Sequence, residues 1–249
     1  MKRLILSLIG VSLSIALPAQ DLSALEIVKK ADSKMRGESS YSEMTMTIVR
    51  PTWQRSISMK TWTKGTNFSL IKITEPAKDK GTGFLKRNKE LWNWIPSIDR
   101  LIKMSSSVMG QSWMGSDFTN DDMVRESSMV TDYSQVIAGE ENIRGFNCYR
   151  IELTPLPNAA VVWGKVITWI EKETFNIVRT QNLDEDFQLA QTMENYDFKT
   201  FGDRTLPSRM EMTPADGKNQ KTVITISKAQ YNTPIQESFF SQQNLKTIQ

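Results

Sequence analysis

A single helical stripe near the start of the chain is followed by period-two patterning almost to its end. Ser23-Ala24-Leu25-Glu26 has the spacing of a capping box, with Ser23 as N-cap and Glu26 at the third helical position. Leu25, Val28 and Met35 share a stripe with Ala24, Ile27 and Ala31. Lys34 and Arg36 suit the negative end of a helix dipole, and Gly37 is a natural stop. The spacing therefore predicts one amphipathic helix over residues 23–36, which needs a sheet to cover its apolar side.

After Gly37 the period changes to two. Strands are expected at Tyr41–Arg50, Arg55–Thr63, Phe68–Thr74, Phe84–Arg87, Leu91–Ile95 and Arg100–Met104. Further strand patterning covers 146–154, 164–172, 176–183, Leu189–Thr200, Leu206–Thr213 and Thr222–Tyr231, with Asp216-Gly217 as a hairpin turn. Residues 123–140 carry weak signals; Tyr133–Ile137 reads as a helical turn and Pro234–Phe240 as a short closing helix. Strands do not alternate with helices, which excludes a parallel α/β fold. A single antiparallel sheet of roughly 11–12 strands must curl, split or close. One curled sheet with the helix in its concavity, over residues 20–249 as one domain, satisfies both elements.

The stretch Lys80–Asp122 departs from this regularity. After the third of its short strands, the chain enters a loop that is apolar where loops are usually polar. Val108, Met109, Trp113, Met114 and Phe118 sit among Gly and Ser. Such a loop buries these side chains under something or offers them to something. The segment Ser105–Phe118 is accordingly a candidate lid, with a loop fixed against the end of the sheet as the competing reading.

Composition narrows the chemistry. The chain has no histidine and one cysteine, Cys148. Histidine-based triads, imidazole proton shuttles, His-ligated zinc and Cys-based metal sites are all excluded. Gly81-Thr82-Gly83 precedes a strand and is too short for a dinucleotide fingerprint. Asp117, Asn120, Asp121 and Asp122 lack the spacing of a calcium loop and read as loop-capping groups. Glu171, Glu173, Asp184, Glu185 and Asp186 are turn carboxylates with no fixed separation. No catalytic residue, metal ligand or cofactor is assigned. The formal charge of +3 includes no basic block, so no nucleic-acid footprint is expected.

Residues 1–19 read as a secretory signal, with Lys2 and Arg3 before the apolar run Leu4–Leu17 and no cysteine after the cleavage point Leu17-Pro18-Ala19. A chain exported without an intramolecular disulfide fits a bacterial envelope compartment, unlipidated.

The unusual inventory is apolar. There are 13 Met and 7 Trp in a chain whose mean hydropathy is −0.40. Met fills irregular space and adapts to varied ligands. Met44, Met46, Met59, Trp92, Trp94, Met104, Met109, Trp113, Met114 and Phe118 are the candidate lining of a lipophilic cavity or its lid; packed solid, the same residues are core.

Several of these pieces together resemble one family. They are the export signal, the helix ending Ala31-Asp32-x-x-Met35-Arg36-Gly37, Lys80-Gly81-Thr82-Gly83, Leu91-Trp92-Asn93-Trp94-Ile95-Pro96, and Met114-Gly115-Ser116-Asp117-Phe118-Thr119-Asn120-Asp121-Asp122. The set resembles the LolA-like, outer-membrane lipoprotein-sorting family across essentially the whole mature chain. The resemblance implies an unclosed β-barrel with helices plugging its concave side. It also implies a periplasmic, monomeric carrier that holds acyl chains of a lipoprotein or lipid, loaded from an inner-membrane transporter complex and passed to an outer-membrane acceptor. Related folds also serve as regulatory modules that bind an inner-membrane protein complex, the alternative reading.

Overall fold

The computed structural model describes residues 22–125, 128–217 and 219–248. The signal-like residues 1–19 lie outside them. Helix α1 spans Ala24–Arg36. The Ser23 hydroxyl accepts the Glu26 backbone N–H at 3.3 Å, and the Glu26 carboxylate accepts the Ser23 N–H at 2.8 Å. The helix ends at Gly37, whose φ of 65° is cheap for glycine and strained for any other residue.

Thirteen strands follow, all in one antiparallel, unclosed, curved sheet. They are β1 (Ser39–Arg50), β2 (Trp53–Lys64), β3 (Phe68–Glu75), β4 (Gly83–Arg87), β5 (Glu90–Ile95), β6 (Arg100–Lys103), β7 (Tyr133–Ile143), β8 (Phe146–Pro155), β9 (Lys165–Glu171), β10 (Ile177–Leu183), β11 (Leu189–Phe201), β12 (Arg204–Pro214) and β13 (Lys221–Tyr231). The spatial order is β6-β5-β4-β3-β2-β1-β13-β12-β11-β10-β9-β8-β7. The sheet is thus two meanders, β1–β6 and β7–β13, joined where β1 pairs with β13. The two edges, β6 and β7, are consecutive in sequence. The connection 104–132 therefore crosses from one edge to the other, and this topology explains why it is long and apolar.

The curled sheet is the one expected, with a corrected strand count. The additional strand is β7, which replaces the helical turn expected at Tyr133–Ile137. An edge strand has one neighbour, so its burial pattern is weak; Val136 is 61% exposed. The expected closing helix at 234–240 is a single 3₁₀ turn, Glu237–Phe239, and a short helix α2, Gln242–Thr247, follows it.

Alternation sorts the strands into two faces. The inner face carries α1 and the crossing segment; α1 lies against β7, β9 and β12. Ile27, Val28 and Ala31 pack there on Ile151, Leu153, Val166 and Ile170. On the outer face of β3–β5, Leu70, Leu85, Trp92 and Trp94 are covered by Phe240 and Leu245 of the C-terminal segment. Cys148 is a buried strand residue, and burial pushes its thiol up to about 11. Among the described residues no helix is long and apolar enough to cross a membrane.

Candidate functional site: a methionine-lined cavity under a fastened cover

The crossing segment begins as a plug. Met109, Trp113 and Phe118 are buried with Met46, Ile48, Ile57, Met59, Ile71, Ile73 and Phe84, and Trp113 is 0% exposed. The Trp113 and Phe84 rings lie 5.3 Å apart. The loop closes on itself: the Trp113 N–H donates to the Phe118 carbonyl at 2.8 Å, and the Asn120 N–H to the Gln111 carbonyl at 2.8 Å. Its buried backbone groups are thereby satisfied without a sheet.

Two arginines hold the tip down. Arg50 grips Asp117 in a bidentate pair at 3.0 and 2.9 Å and donates to the Gly115 carbonyl at 3.2 Å. Arg55 donates to the Met114 carbonyl at 2.6 Å. Asp117 and Thr222 also exchange hydrogen bonds: the backbone N–H of Asp117 donates to Oγ1 of Thr222 at 3.0 Å, and that hydroxyl donates to the carboxylate at 2.7 Å. The carboxylate side chain is 8% exposed. A carboxylate this enclosed needs these donors, because an unpaired buried charge is costly.

Beyond Phe118 the packing opens. A cavity of about 370 Å³ lies between the inner face, the C-terminal end of α1 and Phe118, Asp121, Asp122, Met123 and Met129 of the crossing segment. Seven thioethers line it: Met35, Met44, Met123, Met129, Met193, Met210 and Met212. Ile71, Ile224, Val166 and Ile177 complete an apolar wall. The volume falls within the roughly 300–1,000 Å³ range of small-molecule sites.

The cavity lining also carries polar groups. Asp32 pairs with Arg36 at 3.3 Å, and Asp121, Asp122 and Trp163 stand nearby in the lining. Thr119 and Asp122 cap each other: the Thr119 N–H reaches the carboxylate at 2.8 Å, and the Asp122 N–H reaches the hydroxyl at 3.1 Å. The Trp163 indole donates to the same carboxylate at 3.4 Å. Burial pushes the Asp122 carboxyl above the usual carboxylate range, against the pull of these hydrogen bonds. The acidic cluster thus has partners within the protein: Asn120 donates to the Val108 carbonyl at 2.8 Å, and Asp117 holds Arg50.

The sequence-nominated residues divide three ways. Met44 and Phe118 line the cavity. Met46, Met59, Met109 and Trp113 fill the adjoining core, with Met104 and Met114 at its margin. Trp92 and Trp94 do not reach the cavity; they stand on the outer face, because Leu91 takes the inner position of β5 and its neighbours alternate. Met193, Met210 and Met212 were missed. Met210-x-Met212 carries the same period-two signal as Met44-x-Met46, and Met193 sits directly opposite Met212. Met35 lies on the helical stripe. Met123 and Met129 fall in the segment where the pattern is weak.

Three solved structures share this architecture over nearly their whole length. A DUF1329 family protein from Desulfovibrio piger aligns with a TM-score of 0.81 at 24% identity, covering 89% of this chain and 97% of its own. An outer membrane lipoprotein-sorting protein domain from Vibrio parahaemolyticus gives 0.80 at 20%, covering 90% and 98%. A LolA superfamily protein from Nitrosomonas europaea gives 0.78 at 22%, covering 90% and 100%. No curated protein matches the chain in sequence. A protein-family model described as "Uncharacterized protein" matches residues 65–247.

Proposed function

The chain belongs to that family and has the LolA-like fold, and from this premise we propose that it is a periplasmic carrier of acyl chains, without catalysis. The observation that carries the reading is the methionine-lined cavity between sheet, helix and crossing segment. Each CH₂ withdrawn from water contributes about 0.8 kcal/mol. Unbranched, polarisable Met side chains adapt to a chain of variable length and bend. The cargo is an acylated lipoprotein or a lipid, received from an inner-membrane complex and delivered towards the outer membrane by a monomer.

A carrier must also release what it holds. At about 370 Å³ the cavity is near the lower end of the ligand-site range. A cargo with two or three chains therefore requires the cover to lift. Rupture of the Arg50–Asp117 pair and exposure of Trp113 oppose opening, and cargo binding offsets that cost.

Native mass spectrometry of protein purified gently from the periplasm tests the proposal. A mass increment equal to one acylated molecule is expected. Met210→Trp, which fills the cavity from a wall position, should abolish the increment while far-UV circular dichroism is retained. An apo mass that persists after incubation with membrane extract would overturn the carrier reading. Saturable, lipid-insensitive binding to an inner-membrane protein would instead favour a regulatory module.

A further inference from the structure

A second depression lies on the opposite face of the sheet. Its volume is about 770 Å³, and it is polar where the inner cavity is apolar. Its floor is the outer face of β1–β3 with Ser227 of β13; its walls are the Lys80-Gly81 turn and the C-terminal residues 246–248. Four lysines line it, Lys60, Lys72, Lys80 and Lys246, against two glutamates, Glu43 and Glu75. Both glutamates have other engagements. Glu43 accepts the Tyr41 hydroxyl at 2.6 Å and pairs with Lys228 at 3.6 Å; Glu75 accepts the Ser58 hydroxyl at 3.3 Å.

Lys72 is the informative member. It is 4% exposed, yet its ammonium meets two carbonyl oxygens, of Leu245 at 2.8 Å and Lys246 at 3.3 Å, and no carboxylate among the described residues. Two carbonyls at the end of α2 engage two of the three N–H donors of an ammonium. A buried cation without a counter-charge is costly, and desolvation alone holds the Lys72 pKa below the usual lysine range. An anion bound in the groove would be drawn to this ammonium, which meets no carboxylate among the described residues. Thr74 adds a hydroxyl to the lining, a donor of the kind oxyanions accept.

We infer that this groove is a binding site for a phosphate-bearing ligand, held by Lys72, Lys60, Lys80 and Lys246 on the face of the sheet opposite the acyl cavity. The site stands independently of the carrier reading: Met44 borders both depressions, but the lysines line only the polar one. The volume accommodates a head-group-sized ligand, and the phosphate comes either from a soluble ester or from the surface of an anionic lipid bilayer.

The test titrates the purified chain with glycerol 3-phosphate by calorimetry, and separately with vesicles of phosphatidylglycerol and phosphatidylcholine against pure phosphatidylcholine. Binding of the ester identifies a soluble ligand; binding confined to the anionic vesicles identifies a lipid head group. In either case the doubly reversed Lys80→Glu/Lys246→Glu variant should bind about tenfold more weakly or worse, since a charge-assisted hydrogen bond is worth about 1.5–3 kcal/mol. Lys80→Gln alone, at an exposed turn that caps nothing, should show a smaller loss in the same direction. Failure of the wild-type chain to bind either probe would overturn the inference. So would equal binding by variants with an unchanged circular dichroism spectrum.

Discussion

The crossing segment behaves as two materials laid end to end. Its first part, from Met109 to Phe118, is a plug of aromatic and Met side chains pressed into β1–β5 and fastened by Arg50 and Arg55. Its second part borders a void that it lines with the thioethers of Met123 and Met129 and the two aspartates Asp121 and Asp122. Both parts lie on the same face of the same sheet. The difference lies in what meets them from below. Under the plug, Ile48, Ile57, Ile73 and Phe84 supply bulk beside Met46 and Met59. Under the second part, Met193, Met210 and Met212 share the inner positions with Ile224. Half the face is therefore built for stability and half for capacity.

The comparison is most easily broken at its centre. Trp113→Ala should lower stability by about 3–5 kcal/mol in urea unfolding, because the cavity it leaves cannot collapse. Met123→Ala, at the wall of an existing void, should cost less than about 1 kcal/mol. Equal losses would mean that plug and vault are packed alike.

The fastening is the next largest effect. Asp117→Ala leaves the Arg50 guanidinium, only 15% exposed, without its carboxylate. A loss of about 3 kcal/mol is expected. Hydrogen exchange should quicken across 109–118 while α1 keeps its protection; a uniform change would show that the plug does not open as a unit.

The smallest effect concerns the polar groups in the vault lining. Burial raises the folded-state pKa of Asp122 above its unfolded value. The group's contribution is then complete below the unfolded pKa and is lost as pH rises through the folded pKa. The stability advantage of wild type over Asp122→Asn should accordingly shrink between pH 4 and pH 7 in urea titrations. A constant gap would place Asp122 in contact with bulk water.

Much of this architecture was readable in advance. The Ser23–Glu26 box and Gly37 bounded α1 to within a residue, since caps are local chemistry. The strands of both meanders announced themselves wherever one face was buried and the other exposed. β7 did not, because an edge strand with Val136 and Ile137 exposed lacks that contrast. The site was half readable. Of the residues nominated for a cavity or its lid, Met44 and Phe118 line the cavity, whereas alternation places Trp92 and Trp94 on the outer face. A period-two pattern says which residues share a face and not which face that is.

Sequence by itself determined α1, every strand but β7, the exclusion of histidine chemistry and the need for one curled antiparallel sheet, because each follows from local periodicity or from residue types that are absent. Tertiary structure alone decided which loop residues became core and which enclosed space. That choice depends on the volume left between α1, the crossing segment and the strands beneath them, and volume is a property of elements far apart in the chain.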